Sequence, residues 1–370
     1  MAEGVSVVVF EGSAPGSPVE EMMARVRRAA LLDNLDKLKS VPLVKETYLI
    51  TNDPVLAAEA RAAGALVLLN DIPPTSFHFG RALQEMLAGY GLKKVFYFGG
   101  AGCPLITIAE IESICRLLLE RDRLLYTNNT QSADIVAFTV SGNLDGAALP
   151  AADNGLAWAL RDHFGLEQEL MPQTPGLLFD LDTPADLLVL GASPFAGPRT
   201  RAALNSYALD YTRLERIKAA LRGYYEDILL IGRVSGSVME HLNSTLKVRL
   251  RVFSEERGMK ALGRIEAGEV VSLLGLLLEH SGVSRFFAYL PRLCRSAFID
   301  SRVLMAHYGF ALSERERFLS DLGLWEQIEH PWLREFTRAA CDCAVPVLLG
   351  GHSLVSGSLW LLAAELAAGR

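Results

Sequence analysis

Short β-branched runs alternate with longer amphipathic runs along most of this chain, and that alternation constrains its fold more than any other feature. Residues 5–10, 47–51, 65–69, 94–98 and 135–139 read as strands. Residues 20–38, 54–63, 79–90 and 108–121 read as helices between them, with Thr107 placed as an N-cap. Such alternation predicts a mostly parallel sheet with helices on both faces. Residues 193–201, rich in Pro, Gly and small side chains, break the pattern, and a helical connector is expected over 202–221. A second alternating set follows, with strands at 227–231, 247–253, 297–304 and 346–349. Its helices are expected at 238–246, 270–280, 284–294, 313–319, 333–341 and 358–368. A length of 370 residues suits two domains. The expectation is α/β throughout, with one domain over 1–192 and a second α/β domain with helical insertions over 202–370.

Lys and Arg number 36 against 43 Asp and Glu, a net charge of −7, which argues against a general nucleic-acid binder. Local basic clusters remain available for a nucleotide or a phosphate. The five cysteines form no CxxC pair, and Cys341 and Cys343 have no second pair to complete a zinc site. Free thiols in a reducing cytoplasm are expected. The N-terminus lacks a basic region and reads as a first strand, not a signal peptide. Residues 344–364 are apolar but interrupted by Pro346, Gly350, Gly351 and His352. They read as strand, loop and helix, so no membrane partner is expected and a cytoplasmic location is.

Two segments carry a resemblance. Residues 94–106 contain a hydrophobic strand that runs into Gly99-Gly100-Ala101-Gly102-Cys103-Pro104-Leu105. Residues 177–188 read LLFDLDTPADLL, and about 80 residues separate Gly102 from Asp182. The pair resembles the GT-A-type nucleotidyltransferases, in particular the molybdenum-cofactor and phospholactate guanylyltransferases, over roughly residues 1–190. The resemblance implies transfer of a nucleotidyl group to a phosphorylated small molecule. It also implies Mg²⁺, with Asp180 and Asp182 as ligands, and a first loop at Gly12 and Ser13, with Gly100 nearby, that approaches the nucleotide. A divalent ion would bridge phosphate oxygens and neutralise developing charge. The sequence departs from the family pattern in two places. Gly102 stands where the family has an Asp, and the first loop carries Pro15 and Pro18, which lack N–H donors. The first domain is therefore expected to be altered or degenerate in its chemistry. Asp182 has the alternative role of capping the helix that follows.

Residues 200–370 resemble no family. All four proposed strands run into polar residues at their carboxyl ends, where ligands gather in parallel sheets. Arg233 and Ser235 follow the first strand as a possible anion cradle, Ser235 being equally suited to an N-cap. Glu255 and Arg257 follow the second, with a solvated turn as the plain alternative. Asp300 and Arg302, two apart on an expected strand, would share a face as an ion pair or a substrate clamp. His352 and Ser353 follow the fourth, His352 being the best acid/base candidate in the chain. The catalytic candidates are thus His352, Glu255 and Asp300, and the anion-binding ones Arg233, Ser235, Arg257, Arg302 and Ser353. Ser313 and Glu316 have the spacing of a capping box. The leading functional expectation is a nucleotidyltransferase-like enzyme with an atypical metal site. The alternative places the working site in the second domain and leaves the first structural or nucleotide-sensing.

Overall fold

The computed structural model describes residues 4–369 apart from 71, 73–75, 131, 141–143 and 145–147. The chain divides into two compact units. The first comprises the residues up to Ala14, Arg27–Leu178 and Gly197–Thr200; the second comprises Pro15–Val26, Phe179–Ala196 and the residues from Arg201 onward.

The first unit holds β1 (Val5–Phe10), most of α1 (Pro18–Lys39), β2 (Val44–Thr51), α2 (Pro54–Ala63) and β3 (Leu66–Leu69). It continues with α3 (Phe79–Tyr90), β4 (Lys94–Gly99), α4 (Ile108–Glu120), β5 (Leu124–Thr127) and β6 (Ile135–Thr139). It ends with α5 (Leu156–Asp162), β7 (Glu167–Leu170) and the short α6 (Pro175–Leu178). The strands form one sheet in the order β3-β2-β1-β4-β6-β5-β7. Strand β6 runs antiparallel to β4 and β5, and the other pairings are parallel. The residues of β1 explain its central place: five of its six are buried, so both faces of the strand are covered. Val5, Val7 and Val9 turn to the face packed by α1, α2 and α4. Val8, with Tyr48, Tyr97 and Phe138, turns to the face packed by α3 and α5. Thr107 caps α4 through a capping box with Glu110.

The second unit holds α7 (Pro184–Ala192), the end of α8 (Pro198–Asn205), α9 (Thr212–Arg222), β8 (Glu226–Gly232), α10 (Gly236–Thr245) and β9 (Val248–Ser254). Then come α11 (Leu273–Ser281), α12 (Val283–Leu293), β10 (Ser296–Asp300), α13 (Ser301–His307) and α14 (Glu314–Leu322). The last elements are α15 (Pro331–Asp342), β11 (Val347–Gly350) and α16 (Gly357–Ala368). The sheet is wholly parallel, in the order β11-β10-β8-β9. Leu229, Ile231, Ala297, Ile299, Val347 and Leu349 pack on one face against α11, α12 and α15. The chain leaves β8 toward β9 on one side and later returns to β10 on the other, so the topological switch point lies between β8 and β10.

Several expectations change. The strand expected over 297–304 ends at Asp300, because that side chain accepts from the Arg302 N–H and starts α13. Asp300 and Arg302 therefore do not share a strand face. Strands β5 and β7, four residues each, were too short to announce a period. The break at 193–201 contains the start of α8, where Asp33 accepts from the Arg199 and Thr200 N–H groups at 3.0 and 2.9 Å. Only half of the Ser313 box forms: Ser313 caps Glu316 N–H, but the Glu316 carboxylate accepts from Glu329 and His330 instead. The apolar stretch 344–364 is β11, a turn and the start of α16, as expected, and no helix among the described residues is long and apolar enough to cross a membrane. All five cysteines are unpaired, with Cys103, Cys115 and Cys294 buried.

Candidate functional site

The carboxyl edge of the first sheet is built around the loop after β1. Glu11 is buried, and Arg27 holds it with two parallel hydrogen bonds of 3.0 and 2.9 Å. Gly100 is required here, since a Cβ would lie 2.3 Å from Glu11 Oε2. Its own N–H is spent on the Phe10 carbonyl, so it offers no donor to a nucleotide. Ser13 is clamped by Asn52, whose side chain accepts from the Ser13 N–H and donates to the Ser13 carbonyl, both at 3.1 Å. Beside this clamp a concavity of about 200 Å³ opens between the ends of β1 and β2. Phe10, Gly12, Asn52, Asn70 and Phe77 line it. The rings of Phe10 and Phe77 are 5.9 Å apart and tilted by 54°. Of the expected first-loop residues, Gly12 therefore reaches a cavity, while Ser13 and Gly100 serve the loop itself.

The carboxyl edge of the second sheet is more strongly charged. Gly232 closes β8 at φ +112°, and a Cβ there would lie 2.4 Å from that of Asp300. This close approach lets Arg233 reach across the switch point. Its Nε and Nη2 donate to Asp300 at 2.6 and 3.1 Å. Burial pushes the Asp300 carboxyl up, and the Arg233 guanidinium overrides it, holding the group below its ordinary value. His352 follows β11 and lies within electrostatic reach of Arg233, Asp300, Asp182 and Arg257. Burial, and next Arg233, push its imidazole down to about 4, so it is neutral at pH 7. Arg257 is exposed at the rim. Ser235 caps α10 by accepting from Val238 N–H, and it also bonds Ser237.

Four of the expected second-domain residues thus converge: Arg233, Asp300, His352 and Arg257. The side chains of three others are engaged elsewhere, although Arg302 stays within electrostatic reach of Asp300. Glu255 accepts from Ser272 Oγ and Leu273 N–H, capping α11. Arg302 turns away to a buried bidentate pair with Asp321, at 2.8 and 2.5 Å. Ser353 is buried and donates to Asp186. A helix end or a buried carboxylate claims the polar atoms of each, so Glu255 is not in a solvated turn and Arg302 pairs with Asp321 and not with Asp300.

Asp186, part of the LLFDLDTPADLL segment, has a role that the sequence does not announce. It accepts from Thr183 N–H, Ser353 Oγ and Ser358 Oγ at 2.8, 2.6 and 2.8 Å, and it completes a capping box with Thr183. The N-cap of α7 is therefore Thr183 and not Asp182. Burial pushes the Asp186 carboxyl up to about 7, against the pull of the Ser353 and Ser358 hydroxyls. Only the Thr183-x-x-Asp186 spacing was available to flag it.

Asp182 is exposed and Asp180 half-buried, on the extended segment before α7. Both lie in the second unit, whereas Gly102 lies in the first. No group of three or more His, Cys, Asp or Glu side chains among the described residues is arranged to hold a metal ion. Two carboxylates alone are a Mg²⁺ site only when phosphate oxygens and waters complete the shell.

No protein-family model and no curated protein matches the chain. Among solved structures, it is similar to a cytidylyltransferase from Leptospira borgpetersenii serovar Hardjo-bovis at 13% identity and a TM-score of 0.39, covering 55% of this chain and 94% of that one. A nucleotidyl transferase from Methanothermobacter thermautotroptrophicus is similar at 13% identity and 0.36, covering 56% and 100%. CMP:2-keto-3-deoxy-manno-octonic acid synthetase complexed with CTP is similar at 15% identity and 0.30, covering 45% and 89%.

Proposed function

We propose that the first unit is a nucleotidyltransferase-like module that binds the base end of a nucleotide and has lost standard metal-bridged transfer. The observation that carries this reading is the concavity between β1 and β2. Aromatic faces at Phe10 and Phe77 suit a stacked base, and the amides of Asn52 and Asn70 suit its polar edge. Its volume, about 200 Å³, falls below the few hundred that a whole drug-sized ligand fills, which fits a base better than an entire nucleotide. Glu11, which also lines it, holds Arg27 in a neutral pair, so that arginine is engaged and not turned to a phosphate. No step is routed through Mg²⁺: Gly102 supplies no carboxylate, and Asp180 and Asp182 would need phosphate oxygens to complete a shell. The test is calorimetric titration with the four nucleosides and their triphosphates. Binding that is as tight for the nucleoside as for the triphosphate, and that Phe77→Ala weakens about tenfold, supports the reading. Absence of binding by every member of the panel would sink it.

A second reading rests on the convergence of Arg233, Asp300, His352 and Arg257 at the switch point of the second sheet. Here Asp300 orients Arg233, Arg257 supplies positive charge at the rim, and the neutral His352 ring accepts a proton. The ligand class that matches is an anionic small molecule, phosphorylated or carboxylated. Thermal-shift screening of phosphorylated metabolites checks it. A hit retained by both His352→Ala and Arg257→Ala would place the ligand elsewhere.

A further inference from the structure

The second unit carries a hydrocarbon-lined groove that neither site uses. Its volume is about 400 Å³, and it lies on the α11–α12 face of the sheet beside the edge strand β9. Leu229 and Ile231 form its floor, Phe253 one wall, and Leu273, Leu276 and Tyr289 the other. The mouth is open to solvent: Leu273 is 69% exposed, Leu276 47% and Phe253 42%. A contiguous apolar surface of this kind on a soluble fold marks a place where something binds.

The two walls identify what binds. On β9, Arg249 and Arg251 alternate with buried or half-buried residues and share the sheet face of Phe253. The register agrees, since Arg251 and Phe253 pair with Leu229 and Ile231 of the groove floor. On α12, Arg285, Tyr289 and Arg292 stand four and three residues apart, which is one stripe of a helix, and all three are exposed. The groove is thus flanked by two arginine-bearing rows. Among the described residues Asp227 pairs with Arg249 and Arg251, and Glu255 caps α11 at Leu273, so two carboxylates stand beside these four arginines. The flanks therefore carry a local surplus of positive charge on a chain whose net charge is −7.

We propose that this face docks peripherally on an anionic lipid membrane, with the leucines of α11 inserted at the interface and the groove receiving a hydrocarbon chain. The arginines would sit at the level of the head groups, where each cation near an anionic surface strengthens binding about fivefold. A second copy of the chain is the weaker occupant. A two-fold interface brings identical patches together, so it would oppose arginine rows of like charge. Arginines on an edge strand are also a common guard against strand-to-strand association.

The experiment is vesicle flotation of the full chain, with light scattering on the same samples. Vesicles of phosphatidylcholine alone are compared with vesicles containing about one-third phosphatidylglycerol. The expected result is flotation with the anionic vesicles only, reduced by salt. Arg285→Glu with Arg292→Glu should weaken it at least tenfold, and Leu273→Glu with Leu276→Glu should abolish it. These side chains are exposed, and unchanged circular dichroism would confirm that the variants fold. No flotation of the wild type overturns the proposal. So does flotation that both double variants leave intact. A dimeric mass that the leucine variant converts to a monomer, without flotation, assigns the face to a second copy and overturns it as well.

Discussion

Arg233 Nε lies 2.6 Å from Asp300 Oδ2, joining the residue after β8 to the last residue of β10 across the switch point of the second sheet. Asp300 is fully buried and Arg233 nearly so. A pair like this is worth little against an apolar replacement, yet losing one member leaves the other charge stranded.

Asp300→Asn should therefore cost about 3 kcal/mol in urea denaturation, and Arg233→Met a similar amount. The two together should cost clearly less than their sum, because neither charge is then left alone. Additive losses would mean that the two side chains act independently and that the pair does not organise the edge.

His352 gives a pH signature. Its folded value of about 4 lies below the unfolded 6.5, so between those values the unfolded chain binds the extra proton. The contribution of neutral His352 is complete above pH 6.5 and is lost as pH falls through about 4. Across that window His352→Gln should gain on the wild type by up to about 3 kcal/mol. Parallel stability curves for the two proteins from pH 7 to pH 4 would show that the ring is solvated and not held neutral.

Asp186 should behave in the opposite sense. Its value rises from 3.8 to about 7 on folding, so the folded chain holds a proton that the unfolded chain has released. That contribution is complete below pH 3.8 and disappears as pH rises through about 7. Asp186→Asn cannot titrate. Its deficit relative to wild type should be larger at pH 5 than at pH 8, measured by denaturation at both. A deficit that grows toward alkaline pH would show that the serine hydroxyls, and not burial, dominate at this carboxylate.

Much of this architecture was legible because its signals are local. Helices α2 and α3 start and end where the alternation of runs places them, and β1 announces itself by a valine-rich run interrupted only by Ser6. The convergence of Arg233, Asp300 and His352 was legible too, since parallel strands bring their carboxyl ends to one edge. What failed depended on partners remote in sequence. Arg302 binds Asp321, Glu255 caps α11, and Ser353 is claimed by Asp186, none of which a strand-end rule contains. Residues 301–304 illustrate the same limit: expected as the end of a strand, they are helical because Asp300 supplies the cap.

Gly102 gives the most direct test of the first unit. An aspartate there could contribute a Mg²⁺ ligand, and the glycine contributes none. A Cβ at this position would lie 3.1 Å from the Gly99 carbonyl, so the backbone is fitted closely around its absence. The wild type is expected to release pyrophosphate from nucleoside triphosphates only at background rate, whichever phosphorylated acceptor is present. Asp182→Ala should leave that background unchanged. Gly102→Asp should not restore turnover, because a Cβ there crowds the Gly99 and Asp134 carbonyls and the loop must shift before the carboxylate can point outward. Turnover well above background in the wild type would show that another group takes the place of the missing carboxylate and that the chain is an active transferase.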